Sequence, residues 1–208
     1  METANNNLTA ERSLEIIAQT IAQSRRDMSK YMGKSLMLWG SLVIVTALIV
    51  GHLWQHCGGP IWNLLWLAMT IVGFCLDYVL RRREKTHATG IVATLVGNVW
   101  VTFCFFALGT FFALEIAFNL AAPLHGNLPF TGILGILMGM STAITGFVLK
   151  NRLLVFCGIF CGILSLVLDI YVDGGYEMLI IAGMALIGLL VPGIALWLTT
   201  KSNTTANV

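Results

Sequence analysis

His52 and His56 stand four residues apart, so on a helix their imidazoles share one face, one turn from each other. Imidazole nitrogens bind divalent metals and change charge near neutral pH. Two carboxylates fall at a matching depth. Glu115 sits in the third apolar run of the chain, and Asp169 sits four residues before Asp173, near the end of the fifth. By helix rise, these four groups lie roughly 5–8 Å below one surface of a bilayer. His125, in the connection after the third run, could join them from above.

Three chemistries fit this layer. A His-x-x-x-His pair with a carboxylate is a three-ligand set for zinc or another divalent metal. The same groups could carry a proton or cation through a small transporter. Or they are polar side chains bonded to neighbouring helices and interfacial water. No Glu follows His52 as metallopeptidase chemistry requires. No cofactor is expected, the divalent metal excepted.

Two further sets of polar residues need an account. Asp77 ends the second apolar run four residues before Arg81, which suits a carboxylate reaching into a basic rim and pairing with Arg81 or Arg82. A coupling-ion site is the alternative. Thr94 and Asn98, with Thr102, share one face of the third run, and Ser141 and Thr145 share one on the fourth. Hydrogen bonds between helices explain them, or a polar pathway does. The chain has no Walker loop, no G-x-S-x-G elbow and no C-x-x-C, which removes the enzyme classes built on those motifs.

The elements that must position these groups are membrane helices. The chain is 57% hydrophobic and 11% charged, with mean hydropathy +0.84, outside the range of soluble domains. Apolar runs occupy roughly 35–57, 61–80, 88–119, 129–149, 153–172 and 178–199. All but the third are near the ~20 residues that a bilayer crossing needs. The expected fold is an all-α polytopic membrane helical bundle, with six transmembrane helices preceded by an amphipathic interfacial helix. Residues 1–34 form the cytoplasmic N-terminal helix, 35–200 the six-helix domain and 201–208 a short cytoplasmic tail.

Charge gives the orientation. All twelve Lys and Arg fall in the extension, in the stretch Arg81, Arg82, Arg83 and Lys85, at Lys150 and Arg152, or at Lys201. With six crossings these places share one side, and the opposite connections carry no Lys or Arg. The positive-inside rule puts both termini in the cytoplasm. The basic rim then faces anionic lipid, with Arg81, Arg82, Arg83 and Lys85 as the lipid contacts, and the chain is no nucleic-acid binder. The polar first thirty residues argue against a cleaved signal peptide.

In the extension, Thr9 is an expected N-cap, and Leu14, Ile17, Ile21, Met28 and Tyr31 make an apolar stripe. That stripe lies on the inner leaflet, pairs with a second copy, or docks a cytoplasmic partner. The third run is longer than one crossing needs, so it tilts, protrudes or breaks near Gly109-Thr110. Gly135-x-x-x-Gly139 and Gly158-x-x-x-Gly162 allow close helix approach, and Pro192-Gly193 should kink the last span.

Ser13-Leu14-Glu15-Ile16-Ile17, followed by a basic segment and Leu38-Trp39-Gly40, resembles a family of small bacterial multi-pass membrane proteins with no assigned function. The resemblance covers about the first fifty residues. It implies a bacterial cytoplasmic (inner) membrane and six helices, and carries over no site residue. Two functions are therefore expected. One is a non-enzymatic binding, sensing or scaffold module whose cytoplasmic helix engages lipid or a partner, with homo-oligomers in scope. The other is a small transporter or channel using the His/Glu/Asp layer.

Overall fold

Fifty-six residues, Glu2–Cys57, form a single helix, α1, about 84 Å long at 1.5 Å per residue. In the computed structural model, residues 2–58, 60–83, 90–120, 130–172 and 176–205 are described, with the side chains of 11–58, 61–82, 90–113, 130–172 and 176–199. After α1, a 3-10 turn over Pro60–Asn63 leads into α2 (Leu64–Arg83). The helices α3 (Ile91–Leu120), α4 (Phe130–Leu149) and α5 (Arg152–Tyr171) follow. The last rod joins α6 (Glu177–Ala185), a π-helical stretch (Leu186–Leu190) and α7 (Val191–Thr205). The described residues contain no strand. Among the described residues, six helices are long and apolar enough to cross a membrane.

One local expectation is corrected and two are made more definite. The first helix begins at Glu2, so Thr9 lies inside it rather than capping it, and no break separates residue 34 from 35. α3 runs unbroken through Gly109 and Thr110, whose hydroxyl donates to the Phe106 carbonyl at 2.8 Å. Before Pro192 the chain widens into the π stretch, where the Val191 N–H reaches the Leu186 carbonyl. That register change takes up a proline that offers no N–H and crowds the preceding turn.

α1 is the shared wall of the bundle: α2, α3 and the whole α6–α7 rod pack on it. It meets the last rod antiparallel, through glycines. A Cβ on Gly33 would stand 3.2 Å from the Gly193 carbonyl, one on Gly193 3.1 Å from the Gly33 carbonyl, and one on Gly40 3.1 Å from the Leu190 nitrogen. Small residues are what allow backbones to close to this distance. The buried core gathers on the same face of α1 and includes Met28, Met32, Leu36, Met184, Leu189 and Leu196.

The α4–α5 hairpin is the tightest pair, built on the two glycine motifs. A Cβ on Gly139 would lie 2.5 Å from the Gly158 carbonyl, and one on Gly158 2.6 Å from the Gly139 carbonyl. Its turn closes with two hydrogen bonds, Asn151 N–H to the Gly146 carbonyl (2.8 Å) and Lys150 N–H to the Phe147 carbonyl (3.1 Å). That is a Schellman ending. Asn151 then caps α5, accepting from the N–H groups of Leu153 and Leu154.

Candidate functional site

The densest buried polar cluster joins α1 to α2 at the basic end of the bundle. Tyr31 and Ser35 are one turn apart on α1, and Asp77 and Arg81 one turn apart on α2. The Tyr31 hydroxyl donates to the Asp77 carboxylate at 2.8 Å, and Ser35 Oγ donates to Asp77 Oδ1 at 3.0 Å. Arg81 Nε donates to the Tyr31 oxygen at 2.7 Å and stands 3.2 Å from Asp77 Oδ2. One turn further along, the Trp39 ring covers Gly73 and meets Phe74 edge-on, centroids 5.3 Å apart. The contacts Tyr31–Arg81, Ser35–Asp77 and Trp39–Gly73 thus step together, four residues at a time, along two antiparallel helices.

The Asp77 side chain is 10% exposed, whereas the Arg81 side chain is 63% exposed. Three donors converge on one acid, which offsets the cost of holding it among apolar helices. The pairing of Asp77 with Arg81 follows from their spacing. Tyr31 and Ser35 did not announce themselves, because their partner lies 46 and 42 residues away. A usable signal was there: two hydroxyls one turn apart at the basic end of the first apolar run, level with an acid at the basic end of the second. Among the described residues α2 packs on no other long helix than α1. This cluster is what fixes α2 in place.

At the other end of the bundle Asp169 is buried, and its Oδ2 accepts the backbone N–H of Gly132 at 2.8 Å. Ser165, one turn earlier on α5, donates to the carbonyls of Gly162 (2.8 Å) and Gly132 (3.4 Å). Thr131, 1% exposed, donates to Glu177 Oε2 at 3.4 Å. Glu177 and Thr131 are members of this layer that the sequence reading did not name. An acid in the first turn of α6 was the only mark of it.

His52 and His56 lie on an exposed face of α1. Their rings sit 4.2 Å apart, and His56 Nδ1 donates to the His52 carbonyl at 2.9 Å. Among the described residues no three His, Cys, Asp or Glu side chains come together in a way that could hold a metal. The side chain of Glu115, and the whole of His125, lie outside the described residues.

Thr94 and Asn98 are exposed on α3, with Thr94 donating to the Gly90 carbonyl at 3.2 Å. Ser141 and Thr145 are buried, and each donates to the carbonyl one turn back on its own helix, at 2.9 and 2.8 Å. Such back-bonding satisfies a hydroxyl without a neighbouring helix. On the basic rim, the Arg82 guanidinium lies 4.9 Å from the centre of the Tyr78 ring. The side chains of Arg83 and Lys85 lie outside the described residues.

Searches against protein families, curated proteins and solved structures return no match for this chain.

Proposed function

We propose that this chain is a non-enzymatic multi-pass protein of a bacterial cytoplasmic membrane, with both termini in the cytoplasm. Its N-terminal helix serves as a rigid binding arm for a cytoplasmic protein or a second copy of the chain. The observation that carries this reading is the continuity of α1. Met28, Tyr31, Met32 and Leu36 belong to the bundle core, while Leu14, Ile16 and Ile17, on the same unbroken helix, are 54–66% exposed. Exposed aliphatic residues on a helix that leaves its bundle need a cover. An unbroken helix leaves no turn at residues 34 and 35 by which the arm could fold down onto a leaflet, which favours a partner over lipid as that cover.

The same continuity supports a sensing role. A load on residues 14–17 reaches Tyr31 without a hinge, and Tyr31 holds Asp77 of α2. The arm is thereby linked to α2 through a hydrogen bond rather than through a loop. The test is site-specific photo-crosslinking in intact cells from positions 14 and 17. A discrete protein adduct from both positions, and none from the outward-facing position 74 on α2, is the expected result. Crosslinks to lipid alone would reject the reading.

A second reading, a small transporter or channel, has the buried Asp169 layer in its favour. It requires Asp169→Asn and Glu115→Gln to abolish cation or proton flux in proteoliposomes with the fold intact. Wild-type protein that passes neither ends that reading.

A further inference from the structure

Beside the α4–α5 turn runs a groove of about 880 Å3, apolar along its length and basic at one end only. Gly146, Phe156, Phe160 and Ile163 line its apolar part, and Lys150 and Arg152 stand at its mouth. Phe156 and Phe160 lie nearly parallel, 8° apart, with centroids 6.0 Å apart, and give a smooth wall. From Arg152 to Val167 the lining follows α5 for about 22 Å by helix rise, close to the depth of one leaflet with its headgroup region.

Lys150 and Arg152 are both exposed, and neither has an acidic partner among the described residues. Lys150 also has φ +55°, the only positive φ outside glycine among the described residues. The position after a Schellman ending ordinarily takes Gly or Asn, because a Cβ there costs energy. A lysine there keeps a positive charge at the turn at the cost of a strained φ.

We infer that this turn and groove form a site for one anionic phospholipid. Lys150 and Arg152 take the phosphate, and an acyl chain lies over Gly146 and along Phe156 and Phe160. Side chains must hold the phosphate, because Asn151 already occupies the N–H groups of Leu153 and Leu154. A second copy is the poorer occupant: a two-fold contact across this face would set each basic pair against its own image. The inference rests on the membrane reading given above.

The fold permits a clean test. Lys150→Gly keeps the turn and removes its strained φ, so the Lys150→Gly/Arg152→Gln variant should fold at least as well as wild type. In neutral detergent, native mass spectrometry with phosphatidylglycerol and phosphatidylcholine then reads the site. Wild type should retain phosphatidylglycerol preferentially. The variant should lose that preference by about thirtyfold, taking roughly fivefold per basic residue near an anionic headgroup.

Glycerol 3-phosphate, which has no acyl chain, should not displace the lipid. Equal retention of the two lipids by wild type, an unchanged preference in the variant, or displacement by glycerol 3-phosphate each overturns the site. Binding in detergent does not depend on which way the chain faces. Recovery of the native chain in the soluble fraction would instead sink the membrane reading.

Discussion

At the scale of single residues, Asp77 is the group whose surroundings matter most. Tyr31 and Ser35 both reach Oδ1, while Arg81 reaches Oδ2 from a largely exposed position. Hydrogen bonds between helices in a bilayer are worth ~0.6–2 kcal/mol, and those to charged acceptors lie at the upper end. Tyr31→Phe should therefore cost about 1–2 kcal/mol in thermal or denaturant unfolding in detergent. Arg81→Gln should cost less, because solvent already screens an exposed guanidinium. A larger loss from Arg81→Gln than from Tyr31→Phe would contradict this ranking. The Asp77–Arg81 half of the cluster was legible from spacing alone. The α1 half was not, because spacing within one helix does not reveal which helix lies opposite.

Among elements, glycine has two opposite roles, and geometry tells them apart. At Gly139 an added Cβ would press on a backbone carbonyl 2.5 Å away, which no rotamer change can relieve. Gly139→Ala should destabilise by about 1–3 kcal/mol through overpacking. At Gly97 and Gly109 of α3 nothing lies within 4 Å of such a Cβ. Gly97→Ala and Gly109→Ala should instead stabilise by about 0.5–1 kcal/mol, the ordinary gain of alanine over glycine in a helix. Melting curves of the three variants check the sign at each site. The α4–α5 contact could be read in advance, because Gly-x-x-x-Gly is periodic within each helix. Gly33, Gly40 and Gly193 could not, since seven-residue spacing on α1 and a lone glycine on α7 have meaning only once the two are face to face. The π stretch was half legible: Pro192 announced a disturbance and packing decided its form.

For the whole molecule, hydropathy along the chain carried more than any motif. The six apolar runs read from the sequence correspond to six helices of suitable length and hydropathy. α2 and α3 turn large apolar residues outward, among them Phe74, Phe105 and Phe112, as a lipid-facing surface would. Sidedness can be measured with a membrane-impermeant maleimide. Cys57, exposed at the end of α1, should react in intact cells. In a variant lacking the native cysteines, Lys150→Cys should react only after permeabilisation. Reaction of both from outside would overturn the inside-positive orientation. Which helices adjoin was not legible, because hydropathy specifies a lipid-facing or buried face without naming its neighbour.

The antiparallel seam between α1 and α7 also bears on how the protein is made. Gly33 leaves the ribosome some 160 residues ahead of Gly193, the residue that closes over it. Throughout translation the glycine face of the first helix stays open, while the α4–α5 hairpin, whose partners are near in sequence, can zip shut as soon as it emerges. The first helix synthesised is thus among the last to be locked. A nascent chain stopped short of residue 185 would carry a bare backbone stripe for quality-control proteases to find.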